Sequence, residues 1–429
     1  MSKIRLTVSC PINTYSGYGA RSRDLVKSLL ATGKYDVTIL SQRWGNTRFG
    51  YLEDHKEEEL LSLIIPNLTA QPDVWMQITV PNEFQSVGKY NIGVTAGIET
   101  TVCHHSWLEG CNRMDLILTS SHHSKKVFQE AKVDVMDKNT NQKIKELTLE
   151  KPIEVLFEGV DIKKYFTTTP NTSALVEKLN SIPESFCYLS VGHWMQGDFG
   201  HDRKNIGYTV KAFLESFKNK QVMPALILKV SQANSSLMDR ERILEKIDAI
   251  KKTVKGKHPN VYLLHGEVSD EDMNMLYNHP KVKVMVSHTK GEGYGRPLAE
   301  FATIGKPIIA SGWSGHTDFL NKEDSILIGG HLEKLHPSSV VRDVLIPDSM
   351  WFTPNDTEVA RAFKETYKHY KERIVGARKL RRKILDNFTL DNMTTALADI
   401  LDKNIPEFPK EIKLTLPKLN LPKLEKIDG

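Results

Sequence analysis

The sequence predicts an α/β protein of two domains, and three observations support that prediction. The chain has 429 residues, which is too many for one ordinary hydrophobic core and suits two domains of about 200 residues each. Short apolar runs alternate with loops and amphipathic helical stretches along the chain. Residues 282–320 read as strand, glycine-rich loop, helix and second strand, a unit typical of an open α/β sheet. In its loop, Gly291, Gly293 and Gly295 can take positive φ or approach a ligand closely.

The composition is that of a soluble globular protein. Hydrophobic residues make up 40% of the chain and charged residues 26%, and no apolar run approaches the roughly 20 residues of a membrane span. The first ten residues read directly as a strand and not as a signal peptide. Cys10, Cys103, Cys111 and Cys187 are scattered without a CxxC pair, which indicates a reduced, cytoplasmic setting and no zinc site. The net charge of +5 permits contact with a polyanion or an anionic membrane without requiring either.

The first half of the chain reads as alternating strands and helices. A strand over residues 4–8 leads through a loop into the first helix, and a later strand covers residues 92–95. Ser120 or Ser121 is predicted to cap the helix that follows. Residues 134–152 are polar and irregular, so we expect an exposed excursion or hairpin there.

The second half continues the same pattern. A strand begins at Cys187, residues 237–255 have helical periodicity, and a short helix is expected after Ser269. Residues 356–385 are predicted to form a long basic helix. The last residues repeat Leu-Pro-Lys-Leu, which predicts an extended strap or a disordered end.

Two glutamates lie in the unit at 282–320, Glu292 before its helix and Glu300 within it, with seven residues between them. That spacing places one carboxylate at the loop and the other about two helical turns along, both toward one crevice. Carboxylates accept hydrogen bonds strongly and therefore suit the hydroxyls of a sugar or a ribose. The alternative interpretation is an ordinary crossover helix with a solvated glutamate at each end.

The segment GEGYGRPLAEFATIGKPIIAS, followed by GWSGHTDFL, resembles the E-x7-E signature of retaining glycosyltransferases of family 4. The resemblance implies the GT-B architecture, in which two Rossmann-like domains face each other across a cleft. It implies that Glu292 lies against the hydroxyls of the donor sugar and that Glu300 binds the ribose of the nucleotide. The backbone of Tyr294 and Gly295 would lie near the diphosphate.

The same resemblance implies further donor-binding residues. The loop after the first strand approaches the donor phosphates and the acceptor in this family, and Gly17, Tyr18 and Gly19 occupy that position. A basic residue is expected just after the strand that opens the second domain, but His193 stands there. The next basic position is filled by Arg203 and Lys204, whose charges would neutralise the diphosphate leaving group without a required metal.

Lys229 and Glu99 are candidate site residues, but each also has an ordinary structural interpretation. Lys229 lies in the strand ALILKVS and is either a donor-binding cation or a strand-end lysine that reaches solvent. Glu99 follows the predicted strand at 92–95 and would orient an acceptor hydroxyl, unless it caps a helix or forms a salt bridge. We therefore predict Glu292, Glu99 and Lys204 as the catalytic set.

Four histidines occur as adjacent pairs and invite a metal-site interpretation. Adjacent histidines point in different directions on a helix, and no Asp, Glu or Cys at suitable spacing completes a ligand set. We therefore predict no metal site at His104, His105, His122 or His123.

The resemblance also sets the expected domain boundaries. Residues 1–166 would form a Rossmann-like acceptor domain and residues 167–355 a Rossmann-like nucleotide-sugar domain. Residues 356–403 would be basic helices that return to the first domain, and 404–429 would be the Pro/Lys/Leu tail.

The resemblance implies transfer of a sugar from a nucleoside diphosphate sugar, most simply a UDP-sugar, to a hydroxyl with retention of configuration. The chain as a whole is similar to phage-encoded transferases that are thought to add glucose or arabinose to 5-hydroxymethylcytosine, so DNA is the expected acceptor. The alternatives are a cell-envelope or polysaccharide glycosyltransferase resting on an anionic membrane, and a non-catalytic nucleic-acid-binding protein on a transferase scaffold. The sequence leaves the oligomeric state open.

Overall fold

The computed structural model describes residues 3–137, 140, 142–232 and 235–409. The predicted tail therefore lies outside the described residues from position 410 onward. Two six-stranded parallel sheets, each flanked by helices, organise the rest of the chain. This arrangement confirms the prediction of an α/β protein.

The first sheet is built from the first 155 residues. Strands of this half are β1 (Ile4–Cys10), β2 (Tyr35–Ser41), β3 (Val74–Ile78), β4 (Tyr90–Thr95), β5 (Leu116–Thr119), β6 (Val133–Met136), β7 (Lys143–Leu147) and β8 (Ile153–Val155). The sheet order is β2-β1-β3-β4-β5-β8, and β6 and β7 form a separate antiparallel hairpin. Helices of this half are α1 (Gly17–Thr32), α2 (Tyr51–Asp54), α3 (Glu58–Ser62), α4 (His105–Asn112) and α5 (His122–Glu130).

The second sheet occupies residues 187–328. Its strands and the hairpin after it are β9 (Cys187–His193), β10 (Ala225–Ser231), β11 (Val261–Leu263), β12 (Val282–Ser287), β13 (Ile308–Ser311), β14 (Ile326–Ile328), β15 (Gly330–Lys334) and β16 (Met350–Pro354). The sheet order is β11-β10-β9-β12-β13-β14. Helices of this half are α6 (Ala174–Asn180), α7 (Ile206–Phe217), α8 (Leu237–Thr253), α9 (Asp270–Asn278), α10 (Arg296–Ala302), α11 (Asp356–Lys368), α12 (Tyr370–Asn387) and α13 (Leu390–Asn404).

Apolar side chains cover both faces of each sheet, as parallel sheets require. Strand residues such as Val8 and Val94 pack under α1 in the first half, and Leu189 and Met285 pack under α10 in the second. The predicted cap of α5 is Ser121, whose side chain accepts a hydrogen bond from the Ser124 backbone. No helix in the described part of the chain has the length and apolarity needed to cross a membrane.

The helices between 356 and 403 differ from the prediction in two ways. The expected single helix is interrupted at His369, which separates α11 from α12. Only α13 returns to the first domain, where Met393, Leu397 and Leu401 enter the core beside α1. The apolar residues of α11 and α12 lie instead in cores of the second domain, so these two helices stay on it.

An antiparallel hairpin connects the two halves. Residues 330–354, which we call the interdomain hairpin, contain β15 and β16 and lie between the second sheet and α11. The backbone N–H of Thr101 donates to Met350 O at 2.9 Å, and the N–H of Met350 donates to Thr101 Oγ1 at 2.9 Å. The sequence analysis did not predict this hairpin.

Candidate active site

The loop between β12 and α10 presses against the first domain at the carboxyl ends of the two sheets. A side chain on Gly291 would collide with the carbonyl of Glu99, and one on Gly293 would collide with the carbonyl of Ala96. The sequence suggested a close approach to a ligand at these glycines. In the structure they permit a close approach between the backbones of the two domains.

Glu292 lies between these glycines and is 6% exposed. Its N–H donates to Ser314 Oγ at 2.9 Å, and its carbonyl accepts from Gly315 N at 2.9 Å. Ser314 has φ of 79° and ψ of −165°, a conformation that is strained for any residue except glycine. The loop after β13 therefore holds the Glu292 backbone in place at the expense of local strain.

Two adjacent cations surround the Glu292 carboxylate. Lys204 Nζ lies 2.6 Å from both carboxylate oxygens, and Arg203 Nη1 lies 3.5 Å from Oε2. Burial raises the pKa of Glu292, but Lys204 and Arg203 outweigh it and lower this pKa to about 2. Burial also lowers the pKa of Lys204, and Arg203 adds to that effect. The result is a buried, fully ionised carboxylate held by two cations.

Glu99 joins the same cluster from the first domain. Its carboxylate lies 3.4 Å from Arg203 Nη1, which also donates to Gly291 O at 2.9 Å. Arg203 therefore lies between Glu99 and Glu292 and links the domains. The three residues predicted as catalytic come together with Arg203 in one place.

Glu300 lies on α10 in a different environment. Its Oε2 accepts a 3.3 Å hydrogen bond from the Tyr277 hydroxyl, and Arg296 Nε is 3.9 Å from Oε1. Burial raises the pKa of Glu300 to about 7; Arg296 opposes this shift and Asp270 adds to it. Glu300 is thus poised to change its charge near neutral pH.

Arg296 also pairs with two acids outside α10, and it therefore lowers the pKa of Glu300 only in part. Its Nη1 lies 2.7 Å from Asp24 Oδ2 on α1 and 3.5 Å from Glu158 Oε2. A cavity of about 100 Å³ opens between α1, the connection at 158–165 and α10, and Glu300 lines it. The second glutamate of the motif therefore faces an interdomain space.

The glycine-rich start of α1 helps to position the first-domain loop that contacts the loop carrying Glu292. Ser16 caps α1 by accepting from Gly19 N, and a side chain on Gly19 would collide with Thr14, whereas Gly17 has open space. The hydroxyl of Tyr18 lies 3.1 Å from Thr95 Oγ1 and accepts from Ala96 N at 3.1 Å. Tyr18 thereby fixes the loop that meets Gly293.

Tyr294 and Gly295, the other candidate residues of the motif, face the cleft with their backbone and not with a side chain. Tyr294 is 2% exposed, and its ring packs against Phe319 in the core of the second domain. Gly295 caps α10 with φ of 100°, where glycine is favoured. Only the main chain of these two residues is available to a ligand in the cleft.

Lys229 and His193 lie at the ends of β10 and β9. Lys229 Nζ donates to Gly266 O at 2.8 Å, and His193 Nδ1 lies 3.2 Å from Ser231 Oγ. Burial lowers the pKa of His193, and Lys204, Lys229 and Arg203 lower it further. Burial first, and the neighbouring cations second, therefore favour the neutral form of His193.

Lys290 was missed by the sequence analysis. It is 1% exposed, and its Nζ lies 2.7 Å from Thr353 Oγ1 and 3.2 Å from Glu333 Oε1 of the interdomain hairpin. Its N–H donates to Arg203 O at 2.8 Å. The only sequence signal was a lysine two residues before the first glutamate, and its partners lie more than 40 residues away in the chain.

His316 was also missed. It is fully buried, its Nε2 donates to Ser311 O at 2.6 Å, and its Nδ1 has no hydrogen-bond partner among the described residues. The adjacent histidines serve separate local roles: His104 caps α4, while His123 packs against Trp313. In the described part of the chain, no group of three or more His, Cys, Asp or Glu residues is arranged to hold a metal ion.

Comparison with solved structures shows likeness over nearly the whole chain. HepE from Anabaena, solved with UDP and glucose, has a TM-score of 0.62 at 12% identity over 93% of this chain and 100% of that chain. A glycosyltransferase from Rickettsia africae has a TM-score of 0.63 at 14% identity, with coverage of 94% and 99%. Sucrose-phosphate synthase from Thermosynechococcus elongatus has a TM-score of 0.60 at 12% identity, with coverage of 94% and 99%.

No protein-family model matches the sequence, and no curated protein matches it. At 12–14% identity the likeness to solved structures establishes the fold alone. Two parallel six-stranded sheets in this order, shared over nearly full length with these structures, confirm the predicted architecture. The chain has the GT-B fold.

Proposed function

We propose that this protein is a retaining glycosyltransferase that uses a nucleoside diphosphate sugar. The observation behind this proposal is the cluster of Arg203, Lys204 and Glu292 at the junction of a GT-B fold, with Glu300 further along α10. A diphosphate leaving group gains negative charge as it departs, and paired cations stabilise such charge. A buried carboxylate beside them would bind sugar hydroxyls.

The donor would exchange partners with the cluster. In the free protein, Lys204 and Glu292 neutralise each other at 2.6 Å. A bound nucleotide sugar offers Lys204 and Arg203 a diphosphate and offers Glu292 hydroxyl donors. Both charges would then keep partners, so binding would not leave an unpaired charge in a buried site.

The donor is proposed to be a UDP-sugar. Among proteins of similar fold, HepE was solved with UDP-glucose, and an E. coli protein was solved with UDP-2-fluoro glucose. Glu300 would accept from the ribose hydroxyls, and the backbone of Tyr294 and Gly295 would lie near the diphosphate. Lys229, His193 and the loop Gly17–Tyr18–Gly19 are proposed as outer parts of the same donor site.

Retention of configuration is proposed to proceed without a covalent enzyme intermediate. The bond between the anomeric carbon and the diphosphate oxygen breaks while the acceptor oxygen bonds to that carbon on the same face. The acceptor proton passes to the departing diphosphate. Glu99, which lies 3.4 Å from Arg203, would orient the acceptor hydroxyl as it approaches from the first domain.

The proposed acceptor is 5-hydroxymethylcytosine in DNA, with glucose or arabinose as the sugar. The net charge of +5 and the basic helix α12 favour an anionic acceptor. A base in a duplex must be flipped out before chemistry on it. A glycan or lipid acceptor is the rival within the same enzyme class.

The test is a mass measurement on nucleosides. The protein is incubated with a panel of nucleotide sugars and duplex DNA that contains hydroxymethylcytosine, and the DNA is digested and weighed. A hexose or pentose mass on the modified cytosine is expected, with none on unmodified DNA and none with Lys204→Met. Release of UDP without added mass would reject the DNA acceptor, and absence of both would reject the enzyme.

A further inference from the structure

Helix α12 carries a charge that its own residues do not balance. Between Tyr370 and Asn387 there are seven lysines and arginines but only two acids, an excess as large as the net charge of the whole chain. The comparably long α8 carries five cations and four acids. The charge imbalance of α12 is therefore not shared by α8, a helix of nearly the same length.

Two of the seven cations hold the helix in place. Arg381 Nε donates to Thr303 O at 2.8 Å, and Lys383 Nζ donates to Phe319 O at 2.8 Å. The apolar side of α12 is buried through Ala377, Leu380 and Ile384. The helix is thus fixed to the second domain with its opposite side outward.

The other five cations have exposed side chains: Lys371, Arg373, Arg378, Lys379 and Arg382. At about 100° per residue, Lys371, Arg378, Lys379 and Arg382 lie on one side of the helix, and we call these four the basic ridge; Arg373 lies apart from them. None of the five side chains makes an ion pair or hydrogen bond with another residue in the described ranges. Arg378 and Arg382 are four residues apart, so they repel each other along the helix. An external polyanion would remove that repulsion.

The ridge lies beside the junction of the two domains. Phe319, which accepts from Lys383, follows Asp318, and Asp318 Oδ2 accepts at 2.9 Å from the His122 N–H at the start of α5. A Cβ atom on Gly376 would lie only 3.3 Å from the carbonyl oxygen of Asp324 in the same loop, so α12 packs closely there. A ligand on the ridge would therefore reach the side of the cleft where first-domain loops enter.

We propose that the basic ridge binds the phosphate backbone of double-stranded DNA and holds the duplex beside the cleft; this role rests on the DNA acceptor proposed above. Arginine side chains pair with phosphate through two parallel hydrogen bonds. A helix that lies in a membrane surface needs an exposed apolar face. On α12 that face is buried in protein, and the one exposed large apolar residue of this helix is Val375, at 59%, which favours DNA over lipid.

The test compares two triple variants that lose the same charge. The ridge variant is Arg378→Gln, Lys379→Gln and Arg382→Gln; the control is Arg240→Gln, Arg242→Gln and Lys252→Gln, all exposed on α8. Duplex binding is followed by fluorescence anisotropy against salt concentration. The ridge variant is expected to bind duplex DNA about tenfold or more weakly than the wild type. The slope of its log K against log salt concentration should be shallower by about 2 to 3, while the control keeps the wild-type affinity and slope.

Equal losses of duplex affinity in the two variants would contradict the proposed role of the basic ridge, because net charge alone would then explain binding. Binding to phosphatidylserine vesicles that falls in the ridge variant, with duplex binding intact, would also overturn it in favour of a membrane surface. Donor chemistry is monitored separately as UDP released from UDP-glucose, which both variants should retain.

The experiments distinguish an error in the proposed role of the basic ridge from an error in the proposed acceptor. If hydroxymethylcytosine DNA is glycosylated and the ridge variant keeps the wild-type KM for duplex, the ridge is wrong and the function stands. If the ridge variant loses duplex binding but no sugar reaches DNA, the ridge stands and the acceptor base is wrong.

Discussion

The two glutamates of one short motif lie in opposite electrostatic environments. Glu292 is held by Lys204 and Arg203, which keep its pKa near 2, whereas burial raises the pKa of Glu300 to about 7. The Glu292 side chain is 8% exposed and that of Glu300 is 13% exposed, and only seven residues separate them. The difference arises from residues distant in sequence, and it divides the candidate site into two regions.

In the Glu292 region two adjacent cations, Arg203 and Lys204, lie within 3.5 Å of one carboxylate, an arrangement that suits charge that develops during a reaction. The Glu300 region has an excess of acids, since Asp270 and Asp24 raise the pKa of Glu300 and Arg296 is shared with Asp24. A neutral ribose, and not a phosphate, fits that second region. We therefore infer that loss of the first region lowers turnover and that loss of the second weakens donor binding.

Removing Lys204 should have the largest effect. Lys204→Met deletes the cation that contacts both oxygens of Glu292 and is expected to lower kcat by about 100- to 1,000-fold, the loss typical of removing one group that stabilises developing charge. The measurement is steady-state release of UDP. Lys220→Met, at an exposed lysine, is the control, and near-wild-type kcat in Lys204→Met would remove the lysine from the reaction.

Glu292→Gln should come next in magnitude. The substitution keeps the size of the side chain but removes its charge, so Lys204 and Arg203 lose their buried partner. We expect kcat to fall by about 100-fold, because hydrogen bonds to a charged group contribute about 1.5–3 kcal/mol and are lost in the transition state. Circular dichroism checks the fold, and a change confined to KM would contradict the assignment.

Glu300 should show itself in the pH dependence of donor binding. With a raised pKa of about 7, the carboxyl is neutral below this pH and ionised above it, and only the ionised form accepts strongly from ribose hydroxyls. The Kd for UDP-glucose, measured by calorimetry, should rise by roughly tenfold from pH 8 to pH 6. Glu300→Gln should bind weakly at both pH values, and an unchanged pH profile in this variant would contradict the interpretation.

The smallest effect is expected from Asp24→Asn, which should reduce the difference between the pKa values of Glu300 and Glu292. Asp24 raises the pKa of Glu300 and engages Arg296 at 2.7 Å, so its removal should lower the pKa of Glu300. The midpoint of the Kd against pH curve should move to lower pH. Asp36→Asn, at an exposed position on β2, should leave it in place; a shift to higher pH in Asp24→Asn would contradict the argument.

The fold could be predicted from the sequence wherever local pattern decides structure. Alternating apolar residues identified β12, a short apolar run after the α10 helix identified β13, and the glycine spacing located the loop that carries Glu292. The residues 330–354 have no such alternation, and their partners Thr101 and Lys290 are distant in sequence, so the interdomain hairpin escaped prediction. The break at His369 likewise lies within a continuous helical pattern.

The candidate site was predictable as a list of residues but not as an electrostatic arrangement. The spacing of Glu292 and Glu300 is visible in the chain, yet the contact of Glu292 with Lys204 spans 88 residues. Gly291 and Gly293 were expected to admit a ligand, and their contact with the first domain depends on how the two sheets meet. Such contacts follow from tertiary packing and not from any local pattern.

The most direct test of the contrast is a ¹³C NMR titration of the glutamate carboxyls, with Glu292→Gln and Glu300→Gln used to assign the two signals. We predict that the Glu300 carboxyl titrates near pH 7 and that the Glu292 carboxylate stays ionised throughout the pH range in which the protein is folded. Two ordinary titrations between pH 4 and 5 would contradict the division of the site into two regions.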